Sequence, residues 1–275
     1  MNIAIITGAS SGIGREFVRQ MDTHPAFARI DQFWILARSK DKLTELAKTT
    51  QHECRVFMMD ITNVMQLERL ENAVKREKAR VRMLINCAGY GIMGPFAEQD
   101  RKEETGMIRL NCEALTGITH RMIPYMRKGS RIIQMASCAA FLPQKNFAVY
   151  AASKAYVLHF SEALNAELKD KGIYVTSVCP GPVDTPFFDV AEKTGSTLAV
   201  KKMVMVSADK VVAKALKDSL NKRSKSVYSL PIKGIELAAK VIPHDWLLTC
   251  MRVMEKKERK NVKKANSQEQ NVEAE

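Results

Sequence analysis

Short apolar runs alternate with longer amphipathic segments along most of this chain, and this alternation restricts the fold more than any single residue does. The apolar runs are NIAIIT, FWILAR, RVFMMD, RMLINCAG, RIIQMAS, IYVTSVCPG and SVYSL, which begin at residues 2, 33, 55, 82, 131, 173 and 226. The segments between them repeat apolar residues at helical spacing, near 15–21, 40–48, 64–77, 103–127, 150–169 and 208–221. Strand-helix alternation is typical of a parallel sheet covered on both faces. We therefore predict one doubly wound α/β domain with ligands at the carboxyl ends of its strands.

The alternation ends before the C-terminus. We expect the α/β domain to span residues 1–235, a helical extension to span 236–254, and a charged, disordered tail to span 255–275. The extension carries an apolar helical stripe that includes Leu237, Val241 and Trp246, followed by a basic cluster. Two interpretations stay open: the extension packs on its own domain or a sister subunit, or it makes peripheral contact with an anionic membrane surface.

Charge and cysteine usage limit the partners. A formal net charge of +13 over 275 residues favours anionic ligands such as nucleotide phosphates, acidic carriers or lipids. The sequence has no RNA-binding signature, zinc-ligand spacing or basic recognition helix, so we predict no nucleic-acid partner and no metal. Six scattered cysteines without a Cys-x-x-Cys pair indicate reduced thiols. With no secretory signal and no apolar run of roughly 18 to 20 residues, we predict a cytoplasmic protein.

The first apolar run leads directly into the glycine-rich sequence TGASSGIGRE. Gly8, Gly12 and Gly14 follow the strand at the start of the next helix. Glycines at this turn let the backbone approach a pyrophosphate, whose charge lies at the amino end of the helix. The position of the motif predicts a dinucleotide-binding site.

The end of the second apolar run indicates which dinucleotide binds. Enzymes that prefer NAD usually have an acidic residue here, but this chain has Ala37 followed by Arg38, Ser39 and Lys40. A guanidinium beside a hydroxyl suits the 2′-phosphate of NADP, whereas a carboxylate would repel it. Arg15, at the start of the first helix, is a second candidate for this phosphate. We therefore predict NADP as the cofactor.

A tyrosine and a lysine lie four residues apart in VYAASKAYVLHF. Tyr150 and Lys154 would project from the same helix face, where both could reach one ligand. The pair by itself is also compatible with a snorkelling lysine beside a half-buried tyrosine.

Together, these motifs resemble the short-chain dehydrogenase/reductase family, over roughly residues 2–235. The resemblance lies in TGASSGIG at 7–14, Asp60 in MMDIT, NCAG at 86–89, Asn111, Ser137, Tyr150 with Lys154, and PGPVDT at 180–185. It implies a Rossmann fold and an NADP-preferring oxidoreductase of the carbonyl reductase or hydroxysteroid dehydrogenase kind. Cys87 departs from the family pattern, which usually has a second asparagine there.

The resemblance also implies residue roles. The cofactor contacts it implies, with those argued above, are Gly8, Ser10, Ser11, Gly12, Ile13, Gly14, Arg38, Ser39, Asp60, Ile61, Asn86, Ala88, Gly89, Tyr150, Lys154, Pro180, Gly181, Val183 and Thr185. Asp60 and Ile61 would lie against the adenine, and the segment from Pro180 to Thr185 against the nicotinamide.

The implied catalytic residues are Asn111, Ser137, Tyr150 and Lys154. Ser137 would hold the substrate oxygen while Tyr150 acts as general acid or base, and Asn111 would kink its helix and position a water molecule. A free phenol has a pKa near 10, so we expect the Lys154 ammonium and an oxidised nicotinamide to lower the pKa of Tyr150.

Substrate specificity is expected from the loops at 89–98, 139–147 and 185–206. Their apolar residues Met93, Phe96, Phe141, Leu142, Phe187, Phe188, Met203 and Met205 predict a pocket for a medium or large apolar carbonyl or alcohol. A sterol-like or bile-acid-like ketone, an acyl chain and an aromatic ketone all fit. Two other functions stay open: a catalytically idle NADP-binding regulator and a nucleotide-sugar epimerase. The resemblance further implies a homodimer or homotetramer.

Overall fold

The strands follow the apolar runs of the sequence closely. The computed structural model describes residues 1–194 and 205–243, together with Trp246 and Thr249. Its strands are β1 (Asn2–Thr7), β2 (Gln32–Ala37), β3 (Glu53–Met58), β4 (Arg80–Asn86), β5 (Arg131–Met135), β6 (Tyr174–Val178), β7 (Val183–Asp184), β8 (Val206–Ser207) and β9 (Lys225–Ser226).

The helices lie between these strands, as the amphipathic segments predict. They are α1 (Gly12–Thr23), α2 (Lys40–Ala47), α3 (Val64–Arg76), α4 (Arg101–Ile108), α5 (Leu115–Met122), α6 (Ala148–Lys169), α7 (Phe187–Ala191), α8 (Ala208–Leu220) and α9 (Leu230–Val241). A π-helical segment, Arg109–Ala114, joins α4 to α5.

Seven strands form one parallel sheet in the order β3-β2-β1-β4-β5-β6-β9, and β7 and β8 form a separate two-stranded sheet. The strand order reverses direction between β1 and β4, where such sheets open a ligand-binding crevice at their carboxyl edge. The predicted doubly wound α/β fold and its single domain are confirmed.

Alternation along each strand divides the interior into two cores. Ile3 and Ile5 of β1 pack with α3, α5 and α6 on one face of the sheet. Ala4 and Ile6 pack with α1, α2 and α8 on the other face. Because side chains alternate between the faces of a strand, a sheet buried on both sides reads as a continuous apolar run.

Two predicted elements differ from the structure. The run SVYSL is not a strand along its length: β9 ends at Ser226, and α9 begins at Leu230. Ser229 caps α9 by accepting a hydrogen bond from the Ile232 amide, and Pro231 lies in the first turn. These helix-start signals outweigh the strand preference of the short apolar run. The segment predicted as one helix near 103–127 is divided by the π-helical segment.

The C-terminal boundaries stay predictions. Helix α9 runs across the proposed boundary at residue 235, and the tail at 255–275 lies outside the described residues.

In the described part of the chain, no helix combines the length and the apolar character that crossing a membrane requires. Cys54, Cys87, Cys112, Cys138 and Cys179 are free thiols, as predicted.

Two glycines provide a matched test of packing. A Cβ at Gly14 would overlap the carbonyl oxygen of Gly8, whereas a Cβ at Gly117 in α5 would make an ordinary contact with Leu67, 3.5 Å from its Cδ1. We expect Gly14→Ala to lower the free energy of unfolding by about 2 kcal/mol through overpacking. Gly117→Ala should raise it by about 0.5 to 1 kcal/mol, because alanine favours the helix. Urea denaturation of the cofactor-free proteins measures both changes, and equal effects would contradict the packing argument.

Candidate active site

A cleft of about 900 Å³ opens at the carboxyl edge of the sheet. Except for Asn86 and Asn111, every residue that the family resemblance implies for cofactor binding or catalysis lines it. The glycine turn, the Arg38 region, Asp60, Ser137, Tyr150, Lys154 and the segment from Pro180 to Thr185 therefore share one cavity.

The β1–α1 turn brings backbone close to the cleft. Gly8 has a φ of +66°, and a Cβ there would lie 2.8 Å from the amide nitrogen of Ala88, so only glycine fits. Helix α1 begins at Gly12, and its first amides belong to residues that line the cleft. The amino end of a helix favours an anion, as the sequence motif predicts.

The cleft is lined by cationic side chains near the end of β2. Ala37 ends β2, and Arg38 and Ser39 follow it into the cleft wall. Lys42 and Arg109 also line the cleft, although the sequence analysis missed both. Arg15 does not line it: its guanidinium is 3.2 Å from Glu45 Oε1, so this geometry gives the Arg15 candidate no support.

Asp60 is held in a defined orientation after β3. Its Oδ1 accepts hydrogen bonds from the Thr62 amide at 2.9 Å and the Thr62 hydroxyl at 2.7 Å. Its own amide donates to Gln66 Oε1 at 2.7 Å. The turn thus presents Asp60 and Ile61 to the cleft.

Asn86 lies inside the sheet rather than in the cleft. Its Nδ2 donates to Thr119 Oγ1 at 3.0 Å and to Gln134 Oε1 at 2.9 Å. These bonds connect β4 to β5 and α5. The Asn86 side chain is therefore placed to hold neighbouring elements together, and the expected cofactor contact of this residue stays a prediction.

Asn111 lies in the π-helical segment and holds the backbone that follows β4. Its Oδ1 accepts from the Tyr90 amide at 3.1 Å, and its Nδ2 donates to the Tyr90 carbonyl at 2.9 Å and to Ser153 Oγ at 3.0 Å. The extra residue in a π turn allows this side chain to leave the regular helical bonding pattern. A Cβ at Gly89 would lie 2.9 Å from Asn111 Oδ1 and 3.4 Å from Lys154 Nζ, so the loop passes closely between them.

Lys154 is buried, and its Nζ donates to the carbonyl of Met135 at 2.7 Å. Burial lowers the pKa of Lys154 to about 8, partly opposed by the nearby thiols Cys112, Cys87 and Cys179. The ammonium therefore lies in a site where its charge costs free energy.

In the protein alone, the pKa of Tyr150 is raised, and the lowering expected with an oxidised nicotinamide bound stays a prediction. Burial raises the pKa of its phenol, and a hydrogen bond with Ser137 only partly opposes this effect. Lys154 Nζ lies 5.6 Å from the centre of the Tyr150 ring. Desolvation is therefore the main influence on the pKa of this phenol. The phenol keeps its proton at neutral pH.

The neighbours of Tyr150 determine where its ring lies. Phe147 stacks on it with 4.2 Å between ring centres, and Gly91 leaves room for both rings.

Ser137 accepts a hydrogen bond from the Ala139 amide at 3.2 Å at the start of a short turn. Burial raises the pKa of the adjacent Cys138 to about 11, which is consistent with packing rather than catalysis.

The predicted substrate residues do not form one pocket. Phe187 and Phe188 line the cleft, but Met93 is buried in the adjoining core and Phe96 is exposed. Phe141 and Leu142 line a second groove, of about 700 Å³. Met205 packs against the core that includes Tyr150. Met203 lies outside the described residues. Sequence position could not separate these neighbours, because adjacent loops end on different sides of α6.

Tyr90 is another cleft residue that the sequence analysis missed. Its hydroxyl donates to the Glu103 carbonyl at 3.0 Å, and Gly106 leaves the space that it occupies. The pKa of Tyr90 is raised, chiefly by burial, and the charges of Arg38 and Arg109 only partly oppose this rise. No local motif distinguishes Tyr90, Lys42 or Arg109 from ordinary surface residues.

Known proteins share both sequence and fold with this chain. A family model for short chain dehydrogenase matches residues 2–195. Sulfoacetaldehyde reductase 2 of Chromohalobacter salexigens is 32% identical over 195 residues, which cover 68% of this chain and 74% of that protein.

Two solved structures are also similar. A short-chain dehydrogenase from Sphingobium yanoikuyae in complex with NADPH has a TM-score of 0.71 and 26% identity, over 93% of this chain and 96% of that chain. A short chain dehydrogenase/reductase from Burkholderia phymatum in complex with NAD has a TM-score of 0.76 and 20% identity, over 90% and 95%.

The lowered pKa of Lys154 predicts a pH-dependent stability in the cofactor-free protein. Burial lowers this pKa from 10.5 to about 8, so between these values the unfolded chain holds a proton that the folded chain has released. The free energy of unfolding should therefore rise with pH across this window, by about 3 kcal/mol in full. Lys154→Met should remove this rise.

Urea denaturation of wild type and Lys154→Met between about pH 7 and pH 10 measures the difference. Lys169→Met, at an exposed position in the last turn of the same helix, is the matched control. Parallel curves for wild type and Lys154→Met would contradict the shifted pKa.

Proposed function

The chain belongs to the short-chain dehydrogenase family, and from this premise we propose that it is an NADP(H)-dependent oxidoreductase acting on a carbonyl or secondary alcohol. The observation that carries the proposal is that Ser137, Tyr150 and Lys154 line the same cleft as the glycine turn after β1. This grouping provides proton-transfer groups beside a site that fits a dinucleotide.

The donor set of the cleft fits a phosphorylated dinucleotide. The glycine turn and the amino end of α1 would hold the pyrophosphate, and Asp60 and Ile61 would flank the adenine. Arg38, Ser39, Lys42 and Arg109 would surround the 2′-phosphate. The preference for NADP rests on these side chains. When bound, the nicotinamide supplies or accepts the hydride.

The chain's own residues would move the proton. Ser137 holds the substrate oxygen, and the protonated phenol of Tyr150 donates to it in the reductive direction. The raised pKa of Tyr150 suits this role, because the proton is present at neutral pH. With a pKa of about 8, Lys154 is largely charged at pH 7 and stabilises the phenolate that remains.

Asn111 contributes to the reaction by positioning the loop that follows β4. Its hydrogen bonds to the Tyr90 backbone hold the loop that carries Gly89 beside Lys154. In the direction of alcohol oxidation the same groups work in reverse, with Tyr150 as the base.

The apolar wall of the cleft supports a medium or large apolar substrate. Phe187, Phe188 and Val190 of α7 line the cleft, and Phe187 lies 5.5 Å from Tyr150 between ring centres. A sterol-like, bile-acid-like, acyl or aromatic ketone fits these surroundings. The C. salexigens relative is named for a small polar aldehyde, so the apolar class rests on the residues of this chain.

Assembly and localisation are also part of the proposal. We expect a homodimer or homotetramer formed through the helices preceding Asn111 and containing Tyr150. The free thiols of the described cysteines support a cytoplasmic location.

An NADPH-oxidation screen over steroid, bile-acid, acyl-thioester and aromatic-diketone substrates tests the activity. On the best substrate, Tyr150→Phe should lower turnover by about a hundredfold or more, because it removes the transferred proton. Affinity for NADPH should remain nearly unchanged. Lys154→Met should weaken both turnover and NADPH binding.

Tyr156→Phe is the matched control on the same helix, since the Tyr156 hydroxyl meets Thr116 Oγ1 at 2.8 Å, outside the cleft. A Tyr150→Phe protein with near-normal turnover would rule out the assigned proton donor. NADPH binding without turnover on any ketone would favour the idle regulator.

Cofactor preference has a separate test. Arg38→Ala should narrow the difference in binding free energy between NADPH and NADH by roughly 1 to 3 kcal/mol, the range of charge-assisted hydrogen bonds. Titration calorimetry on the purified protein measures both affinities. Arg15→Ala removes a nearby guanidinium that is paired with Glu45, and should leave the difference unchanged. Equal affinities in the wild-type protein would defeat the NADP assignment.

A further inference from the structure

The outward face of α9 is apolar, although the outward face of a surface helix is normally polar. Leu230, Leu237 and Val241 are 80%, 65% and 74% exposed. Residues seven and four positions apart lie within about 40° of one another around a helix. These three side chains therefore form a single row, which we call the α9 stripe. Trp246, 72% exposed, follows it along the chain.

The stripe cannot turn inward, because the opposite side of α9 is anchored. Ile232 is buried there. Glu236 accepts a hydrogen bond from Lys225 Nζ at 2.9 Å, and the same Nζ lies 2.8 Å from Glu162 Oε1 on α6. These contacts attach α9 to β9 and α6, so its rotation is defined and the stripe faces outward.

The anchored side of α9 lies directly behind the cleft. A Cβ at Gly181, in the cleft wall, would lie 3.0 Å from Ile232 Cδ1. One helix therefore touches the cleft wall with Ile232 and presents apolar side chains on its other side. A surface bound to the stripe would lie one helix diameter from the cleft.

Charge favours one occupant for this face. Lys233 is exposed on α9, and the sequence from 252 to 264 contains seven Lys and Arg residues against two Glu. A symmetric dimer through the stripe would bring Lys233 of one copy toward the like charge of the other, because such an interface pairs a patch with itself. An anionic lipid surface would attract the same charges.

We propose that the α9 stripe docks on an anionic phospholipid bilayer, with Leu230, Leu237, Val241 and Trp246 in the interface and Lys233 near the headgroups. Exposed apolar residues flanked by lysines are typical of a helix that lies in the plane of a membrane surface. Tryptophan is favoured at this depth. The proposal is independent of the reaction catalysed in the cleft.

Vesicle flotation tests the proposal with the full chain. The probes are vesicles of phosphatidylcholine alone and of equal parts phosphatidylcholine and phosphatidylserine. We expect binding to the mixed vesicles, weakened by salt, and little binding to the neutral ones. The double variant Leu237→Glu with Val241→Glu should bind roughly tenfold less or weaker still, since two apolar side chains no longer enter the interface.

Tryptophan emission gives a second measurement. The chain has two tryptophans, and Trp34 is fully buried, so a blue shift on adding vesicles reports Trp246. The expected shift should be absent in Trp246→Phe.

Met65→Glu is the matched control, because Met65 is 66% exposed on α3, away from α9. It should bind vesicles like wild type, and all variants should retain NADPH affinity, which confirms that they fold. Equal vesicle binding by wild type and the double variant would overturn the proposal and assign binding to the basic sequence alone. A protein that ignores the mixed vesicles, but whose mass by light scattering falls with the double substitution, would instead identify the stripe as an interface between copies.

Discussion

The position of β1 between β2 and β4 is the constraint on which the site depends. The helix that follows β1 packs on one face of the sheet, whereas α5, after β4, packs on the other. The chain therefore diverges at the carboxyl ends of these two strands, and a cleft opens between them. At the back of the cleft, the turn after β1 touches the loop after β4, and there Gly8 lies against Ala88. Every group assigned to cofactor binding or proton transfer is arranged around this contact.

Burial then sets the electrostatics of the cleft floor. Desolvation disfavours charge on any side chain, so it raises the pKa of Tyr150 and lowers that of Lys154. The ordinary pKa values of the two groups are nearly equal, and the two shifts move them apart, so the phenol keeps its proton while Lys154 titrates at about 8. The hydrogen bond from Lys154 to the Met135 carbonyl keeps the ammonium in place despite this cost. Burial inside the protein therefore decides the protonation states of both side chains.

The fold was predictable because short apolar runs and helical spacings are local signals. The glycine turn, Arg38 and the pair of Tyr150 and Lys154 were predictable for the same reason, since each motif lies within a few residues of sequence. Lys42 and Arg109 were not, because they become cleft residues only when distant segments meet. The raised pKa of Tyr150 in the protein alone was also not predictable, because sequence spacing indicates a neighbouring charge but not the depth of burial.

The same limit applies to the loops and to Asn86. Phe141 and Phe187 look alike as loop residues, yet they line different cavities, which lie against different faces of α6. Asn86 adjoins the cleft in sequence, but its amide is used inside the sheet. The π-helical segment Arg109–Ala114 carries a further consequence for how this chain tolerates change in length. A π turn is equivalent to an α-helix with one residue inserted, and each residue advances a helix by about 100°. The segment therefore sets the rotational phase between Met107, which packs beside Tyr150, and Ile118, which packs under the sheet. Deleting any single residue from it would produce a more regular helix, but would turn one of these two faces away from its core.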